Sequence, residues 1–424
     1  MLPKVTGDLQ RRLLFMFGMF AVYTMGLHIP IPGINQEAMN RLMETGGMLG
    51  LLDVFSGGAF RKFTIFALGI MPYINASIIM SLLVMAVPQL EQMQKEGESG
   101  RKQIAQITRY LTLVLAIVQA AGIITFLRQS GVMDPNIIRF FQILVILVAG
   151  TAFLMWLGEQ ITDKGIGNGV SLVIFLGIVA SLPFQISNTW QLYSVNAIGL
   201  VNIFLLIGVF ILTVMLIVSV TVAQRRIPIQ HVKRVIGNKM TSGATSYLPL
   251  KINSAGVIPI IFAISIQLFP QTLAQFAPAD TAVGNIIRPI AAFLQPGTWF
   301  GAILYFSLVV LFTYFYTAVT FNVQDVSDNL KKWGSYIPGI RPGKPTTEYL
   351  DRVMSRITLV GAVFLGFIAL LPYLTPHITG IPGGGGLAGL VGGTSLLIVV
   401  GVALDTMQAI ESQLVMRHYE GFIK

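Results

Sequence analysis

Apolar runs of membrane-crossing length recur along this chain, separated by short breaks rich in charge, proline, glycine or asparagine. A helix that crosses the hydrocarbon core of a bilayer needs about 20 mostly apolar residues. Ten stretches meet that description, at about 13–30, 63–88, 104–127, 138–158, 170–187, 198–223, 252–276, 299–321, 355–375 and 388–410. The pattern predicts an all-α integral membrane protein with ten transmembrane helices. The first run follows Arg11 and Arg12, as a signal peptide would. No small-residue cleavage site comes after it, and it ends in HIPIPG (28–33), so it is read as a retained span.

Ten spans divide into five and five. The second half then starts on the opposite side of the membrane from the first, and any repeat between the halves has inverted topology. The halves are taken as 1–190 and 191–424. The second span of the first half contains GIMPYINASI (69–78), and the second span of the other half contains GVIPIIFAISI (256–266). Both read Gly-x-x-Pro followed by an Ile-rich run. Proline lacks an N–H and glycine adds backbone freedom, so the motif predicts a helix loosened at matching places, near a working site at the midplane. Coincidence is the alternative, since both residues are common in membrane helices. Just before span 2, LGLLDVFSGGAFRKF (49–63) is too short to cross and is broken at Gly57–Gly58. It reads as a re-entrant half-helix over about 49–62, or as an ordinary external amphipathic segment.

Composition sharpens this picture by exclusion. Of 424 residues, 54% are hydrophobic and 11% charged, against about 25% charged in soluble domains. Mean hydropathy is +0.74. Soluble globular and disordered classes are excluded. With no cysteine, disulfides, thiolate metal sites, haem attachment and cysteine nucleophiles are excluded as well. The four histidines (His28, His231, His377, His418) include no pair at helical ligand spacing, so no metal site is expected. An ion-coupled transporter or pump needs ionisable groups within the membrane. The cores of the first nine spans have no Asp, Glu, Lys or Arg, and the tenth has only Asp405 and Glu411, near one end. An intramembrane enzyme needs a Ser/His, Asp/Asp or HExxH constellation, which the spans lack. GIGNG (165–169) follows no strand and the tetraglycine 383–386 reads as a loop, so neither is a phosphate cradle. No catalytic residue, metal or cofactor is predicted. An inverted-repeat secondary transporter remains the rival class.

Charge then orients the spans. Of the 28 basic residues, 22 fall at the termini or in every second connection, and Arg41, Arg61, Lys62, Arg128, Arg139 and Arg288 make up the rest. Such a bias puts both termini in the cytoplasm. Two long loops on that face, 224–251 and 322–354, carry Arg225, Arg226, Lys233 and Arg234, and Arg341 and Lys344. They read either as retention signals or as a docking surface for an acidic or large partner. Among the apolar residues, Ile70 and Ile74, Ile174 and Ile178, and Ile258 and Ile261 recur at helical spacing. Taken alone, such pairs ordinarily face lipid or pack between helices.

Seven blocks carry a family resemblance: IPIPGI (29–34), FSGGA (55–59) with IFALGIMPYINASII (65–79), KEGESGRK (95–102), MWLGEQIT (155–162) with GIGNGVS (165–171), LPLKIN (248–253), GIRPGKPT (339–346) and GGTSLLI (392–398). Over residues 10 to 415 or so, the chain resembles the SecY family, channel subunits of the bacterial protein-translocation machine. The resemblance implies two inverted five-helix halves around a central hourglass pore in the bacterial plasma membrane. It implies passage of unfolded secretory polypeptides and sideways release of apolar segments into lipid. Its pore ring would be Ile70, Ile74, Ile174, Ile178, Ile258, Ile261 and Ile398. Its plug would be the segment at about 49–62, with Phe55, Ser56, Gly57 and Gly58. Its lateral gate would lie between spans 2 and 3 and spans 7 and 8, with Asn75, Ser77, Gln119 and Ser265. Docking would use Arg225, Arg226, Lys233, Arg234, Arg341 and Lys344. The implied partners are the small membrane subunits SecE and SecG, the SecA motor ATPase, the ribosome, signal peptides and nascent chains, and anionic lipid. The loop tip VIGNKMTSGATS (235–246) departs from the family, being less basic at its centre.

Overall fold

The computed structural model describes residues 7–44, 53, 56–133, 136–231, 235–236, 239–240, 245–276, 289–295, 298–381 and 393–420. Helices occupy all ten apolar stretches. In chain order the helices are α1 (Gly7–Gly26), α2 (Gln36–Glu44), α3 (Met71–Ala86), α4 (Pro88–Lys95), α5 (Glu98–Gln129), α6 (Ile137–Lys164), α7 (Gly169–Ser194) and α8 (Leu200–Val222). After a small sheet come α9 (Ile258–Phe276), α10 (Trp299–Thr320), α11 (Val323–Lys332), α12 (Lys344–Thr379) and α13 (Thr394–Glu420).

Among the described residues, seven helices are long and apolar enough to cross a membrane unaided: α5, α6, α7, α8, α10 with its continuation α11, α12 and α13. An eighth arises if α3 and α4, bent by 99° at Val87, are counted as one broken span. The first and seventh predicted spans are less clear by this measure. Asp8, Arg11 and Arg12 dilute the apolar run of α1, and the described apolar part of α9 is short, Ile258–Gln267. Caps set several boundaries. Asn168 accepts from the N–H groups of Val170 and Ser171 to start α7, and Asn322 does the same for Gln324 and Asp325 of α11.

One element lies outside the all-helical expectation. The loop after α8 folds into β1 (Gln224–His231), the short pair β2 (Val235–Ile236) and β3 (Lys239–Met240), and β4 (Thr245–Lys251). β1 pairs antiparallel with β4, from Gln224 opposite Lys251 to Gln230 opposite Thr245. Its other edge pairs with β5 (Ser335–Tyr336), from the loop after α11. The alternation in RIPI explains the strand: Ile227 and Ile229 point into a core with Leu330, Leu350 and Met354, Arg226 and Pro228 point out, and Arg225, on the inner face, is exposed beyond the core's edge. The two long basic loops are therefore one folded unit.

Contacts between distant segments sort the connections onto two ends. At one end, Arg12 donates to the Gly165 carbonyl (3.5 Å), Arg109 pairs with Glu159 (2.7 Å), and Lys251 of β4 donates to Gln408 of α13 (3.0 Å). At the other, the Ile31 N–H donates to the Phe63 carbonyl (2.9 Å) and Ile34 bridges to Met133. The interior between them is one apolar core shared by α1, α3, α6, α7, α8, α9, α10, α12 and α13.

Candidate functional site

The isoleucines paired by spacing, and Ile398 implied by the resemblance, belong to one apolar cluster. Ile70 and Ile74 sit at the start of α3, Ile174 and Ile178 two turns into α7, Ile261 in the first turn of α9 and Ile398 in that of α13. All six are buried members of one apolar cluster, with Ile258 packed against it. These residues come from four helices and are buried or half-buried in one apolar core, and do not coat a lipid-facing surface. β-branched side chains suit such a place, being stiff at χ1 and free of polar atoms.

The segment before α3 closes over this cluster. Of the half-helix expected over about 49–62, Asp53 is helical, residues 56–62 form consecutive turns, and the remaining residues lie outside the described ones. Gly57 and Gly58 take φ of +73° and +80°, which a right-handed helix does not allow. Local hydrogen bonds hold the turns. The Ser56 hydroxyl donates to the Asp53 carbonyl (3.1 Å) and accepts from the Phe60 N–H (3.1 Å), while Asp53 Oδ1 accepts from the Arg61 N–H (2.8 Å). Gly57 lies on the backbone of Gly177, between Ile174 and Ile178. A Cβ at Gly57 would come within 2.8 Å of the Cα and carbonyl oxygen of Gly177. Ser56 is buried and Gly58 half-buried. Phe55 lies outside the described residues.

Two contacts that sequence reading missed fasten this segment. The Arg61 guanidinium stacks on the Phe184 ring of α7 at 4.4 Å, and Gln36 Nε2 at the start of α2 donates to the Arg61 carbonyl (2.9 Å). Neither partner lies near Arg61 in the chain. Gly177 is the one signal in the sequence, a small residue set between Ile174 and Ile178.

The Gly-x-x-Pro motif is also placed differently from expectation. It does not interrupt a helix; it starts one. Gly69 (φ +58°) and Gly256 (φ +65°) each sit two residues ahead of a helix, and Pro72 and Pro259 are the second residues of α3 and α9. There a missing N–H costs nothing, because the first turn has no partner for it. The two starts share one backbone form.

Around the cluster, α3 packs on α5, and α9 packs on α10 and touches α3 and α5. Asn75, Ser77 and Gln119 are half-buried. Ser265 Oγ is buried on α9 with no hydrogen-bond partner among the described residues. Two residues on, the buried Gln267 ties α9 to the start of α10 and the segment before it by donating to the carbonyls of Leu294 (3.0 Å) and Gly301 (2.7 Å). The basic residues lie at the sheet end, away from this cluster. Arg225, Arg226, Arg341 and Lys344 are exposed, and Lys233 and Arg234 lie outside the described residues. The Arg341 tip is not loose. Thr346 Oγ1 donates to the Arg341 carbonyl (2.8 Å) and Ser327 Oγ to that of Gly343 (3.2 Å). Asp405 is exposed on α13, three residues from Gln408.

This architecture and sequence match proteins already known. The SecY family profile matches residues 64–407. Protein translocase subunit SecY of Escherichia coli (strain K12) is 45% identical over 425 residues, covering 99% of this chain and 94% of that protein. A solved SecY structure, whose plug domain stabilises the closed state of the translocation channel and maintains a membrane seal, aligns with a TM-score of 0.66 at 19% identity, over 98% of this chain and 95% of that one. Sec61 from a canine ribosome–channel complex of the endoplasmic reticulum aligns with a TM-score of 0.66 at 17% identity, over the same shares. The blocks along the sequence, the helical membrane fold and these likenesses agree: the chain belongs to the SecY family of protein translocase subunits and is a protein-conducting channel subunit.

Proposed function

We propose that the isoleucine cluster is the constriction of the pore and that the segment at about 49–62 is its plug. The observation that carries this is the seating of Gly57 on Gly177, between Ile174 and Ile178. A channel for unfolded chains must accept any side chain and still hold back small ions. A collar of isoleucines offers no hydrogen bond to catch a passing chain, and a narrow apolar constriction sheds water and stops ion flow. Its side chains part around a polypeptide and close behind it. The plug adds a second barrier at rest.

The seam of α3 and α5 against α9 and α10 is proposed as the lateral gate, with Asn75, Ser77, Gln119 and Ser265 along it. Opening there lets a sufficiently apolar segment gain free energy by moving into lipid. The two halves, 1–190 and 191–424, are the bodies that part, and the matched starts of α3 and α9 support that reading. The spans number ten, both termini are cytoplasmic, and the membrane is the bacterial plasma membrane; the bias in basic residues supports the orientation.

With no energy source among its residues, the channel takes its drive from partners. The sheet of β4, β1 and β5 with the Arg341 tip is the docking face for the SecA motor and the ribosome, and the likeness to Sec61 from a ribosome complex supports the latter. SecE and SecG cover lipid-facing helices, and anionic lipid surrounds the complex. The chain carries out no covalent chemistry. The test is uptake of an unfolded secretory precursor into vesicles holding this protein, its small subunits and the motor. Protease-protected precursor is expected with the parent protein and a loss of about tenfold or more with Arg341→Glu, at equal membrane levels, because a carboxylate repels what the guanidinium bound. Parental uptake by Arg341→Glu contradicts the docking face; no uptake by the parent contradicts the channel reading.

A further inference from the structure

The plug segment changes character at Phe60. Ahead of it, Ser56, Gly57, Gly58 and Ala59 carry little apolar surface, so lifting them from α7 exposes little of it to water. At Phe60 and Phe63 the side chains are large. Their rings are each 1% exposed and pack edge to face at 6.2 Å. The core that holds them is not that of the ring isoleucines; it contains Met39 of α2, Leu127 of α5, and Ile143 and Leu147 of α6. Drawing Phe60 and Phe63 away would strip two whole aromatic rings from it.

The backbone is pinned there as well. Pro30 and Thr64 form an antiparallel bridge, in which the Ile31 N–H donates to the Phe63 carbonyl (2.9 Å) and the Ile65 N–H to the Ile29 carbonyl (3.1 Å). Arg61 is held twice: its carbonyl accepts from Gln36 Nε2 (2.9 Å), and its guanidinium lies over the Phe184 ring (4.4 Å). Between these holds Phe63 takes φ of +45°, a left-handed backbone that a bulky residue keeps only where its surroundings dictate it. The strained residue therefore marks a fixed end. Bonds reach back from this part to the chain ahead of it. The Arg61 N–H donates to Asp53 Oδ1 (2.8 Å) and the Phe60 N–H to Ser56 Oγ (3.1 Å).

We propose that residues 60–65 are a fixed anchor, that only the chain ahead of Phe60 moves when the pore opens, and that Arg61 positions this moving tip at rest. The proposal rests on the plug reading above and divides that segment in two. The test uses vesicles holding this protein, its small subunits and the motor, and single cysteines on the cysteine-free chain. Ser56 and Thr64 are both buried, so Ser56→Cys and Thr64→Cys should each resist N-ethylmaleimide in the idle channel. With a precursor arrested in the pore, Ser56→Cys should label about tenfold faster, and Thr64→Cys should keep its idle rate. Pro30→Cys with Thr64→Cys places two thiols at a bridge pair of the closely spaced kind, and its oxidised form should keep uptake within about twofold of its reduced form. Arg61→Gln loses the hold on Phe184 and should raise resting conductance about two- to fivefold, with partial rescue by Arg61→Lys, whose cation can also lie over a ring. Labelling of Thr64→Cys on arrest with Ser56→Cys, uptake abolished by the oxidised pair alone, or parental conductance in Arg61→Gln overturns the anchor and leaves the plug reading standing. If neither thiol labels on arrest, the segment does not move, and the plug reading fails together with the anchor.

Discussion

Gly57 shows how much one hydrogen atom decides here. It has a left-handed backbone and rests on Gly177 between two ring isoleucines. Adding a methyl group puts a carbon within 2.8 Å of the Gly177 backbone, which cannot swing aside as a side chain does. Gly57→Ala is therefore expected to lift the plug from α7 at a cost of about 1–3 kcal/mol. Its signature is a raised resting ion conductance with normal membrane levels. Conductance equal to the parent's would show that the plug does not seal where it lies. The same residue marks a boundary of what the sequence discloses. FSGGA and the isoleucine pairs were legible because they lie within one stretch of chain or repeat at helical spacing. The clasp of Arg61 on Phe184 was not, because it depends on how a turn and a distant helix pack. A cation beside an aromatic ring leaves no local pattern.

Among the elements, the sheet differs most from the reading of the sequence. The loops 224–251 and 322–354 were legible as basic and exposed. Their union was not, because the two-residue strand β5 joins β1 across roughly a hundred residues of intervening chain. Side chains reinforce the join: His231 of β1 bonds Ser335 of β5 (2.7 Å) and Ser246 of β4 (2.9 Å), and Tyr336 donates to Gln230 (3.0 Å). Beneath it, Ile229 is buried against α11 and α12. Ile229→Ala should cost the sheet about 2–5 kcal/mol, the usual range for an isoleucine cut back to alanine in a core. Limited proteolysis should then cleave 224–251 faster, and motor-driven uptake should fall, while resting conductance stays low because the pore core is a separate cluster. Unchanged cleavage would mean the sheet owes little to this core. Gly-x-x-Pro teaches a related lesson. The motif was rightly matched between α3 and α9, but proline at the second position of a helix begins it, and only the helix boundaries distinguish a start from a break.

For the whole molecule, the expectation read from composition and apolar runs held best: a helical membrane protein. Lipid replaces water as the solvent, so backbone pairing forces helices and leaves few alternatives. Orientation is a further whole-molecule property. Single cysteines are informative on this cysteine-free chain: positions 235 and 340 should label only from the cytoplasmic side and position 131 only from outside, and labelling of 340 in intact cells would invert the topology. The central claim is that apolar side chains from α3, α7, α9 and α13, with the plug above them, form the ion seal. Its most direct measurement is resting conductance in planar bilayers of three proteins: the combined variant Ile74→Ser, Ile178→Ser, Ile261→Ser and Ile398→Ser; a deletion of residues 53–60; and both together. Hydroxyls at the waist hold water, so the first should raise conductance severalfold over the parent, the deletion should raise it also, and the combination should exceed either, with precursor uptake retained. Background conductance in the combined, folded and inserted variant would contradict the seal and leave these isoleucines as packing residues.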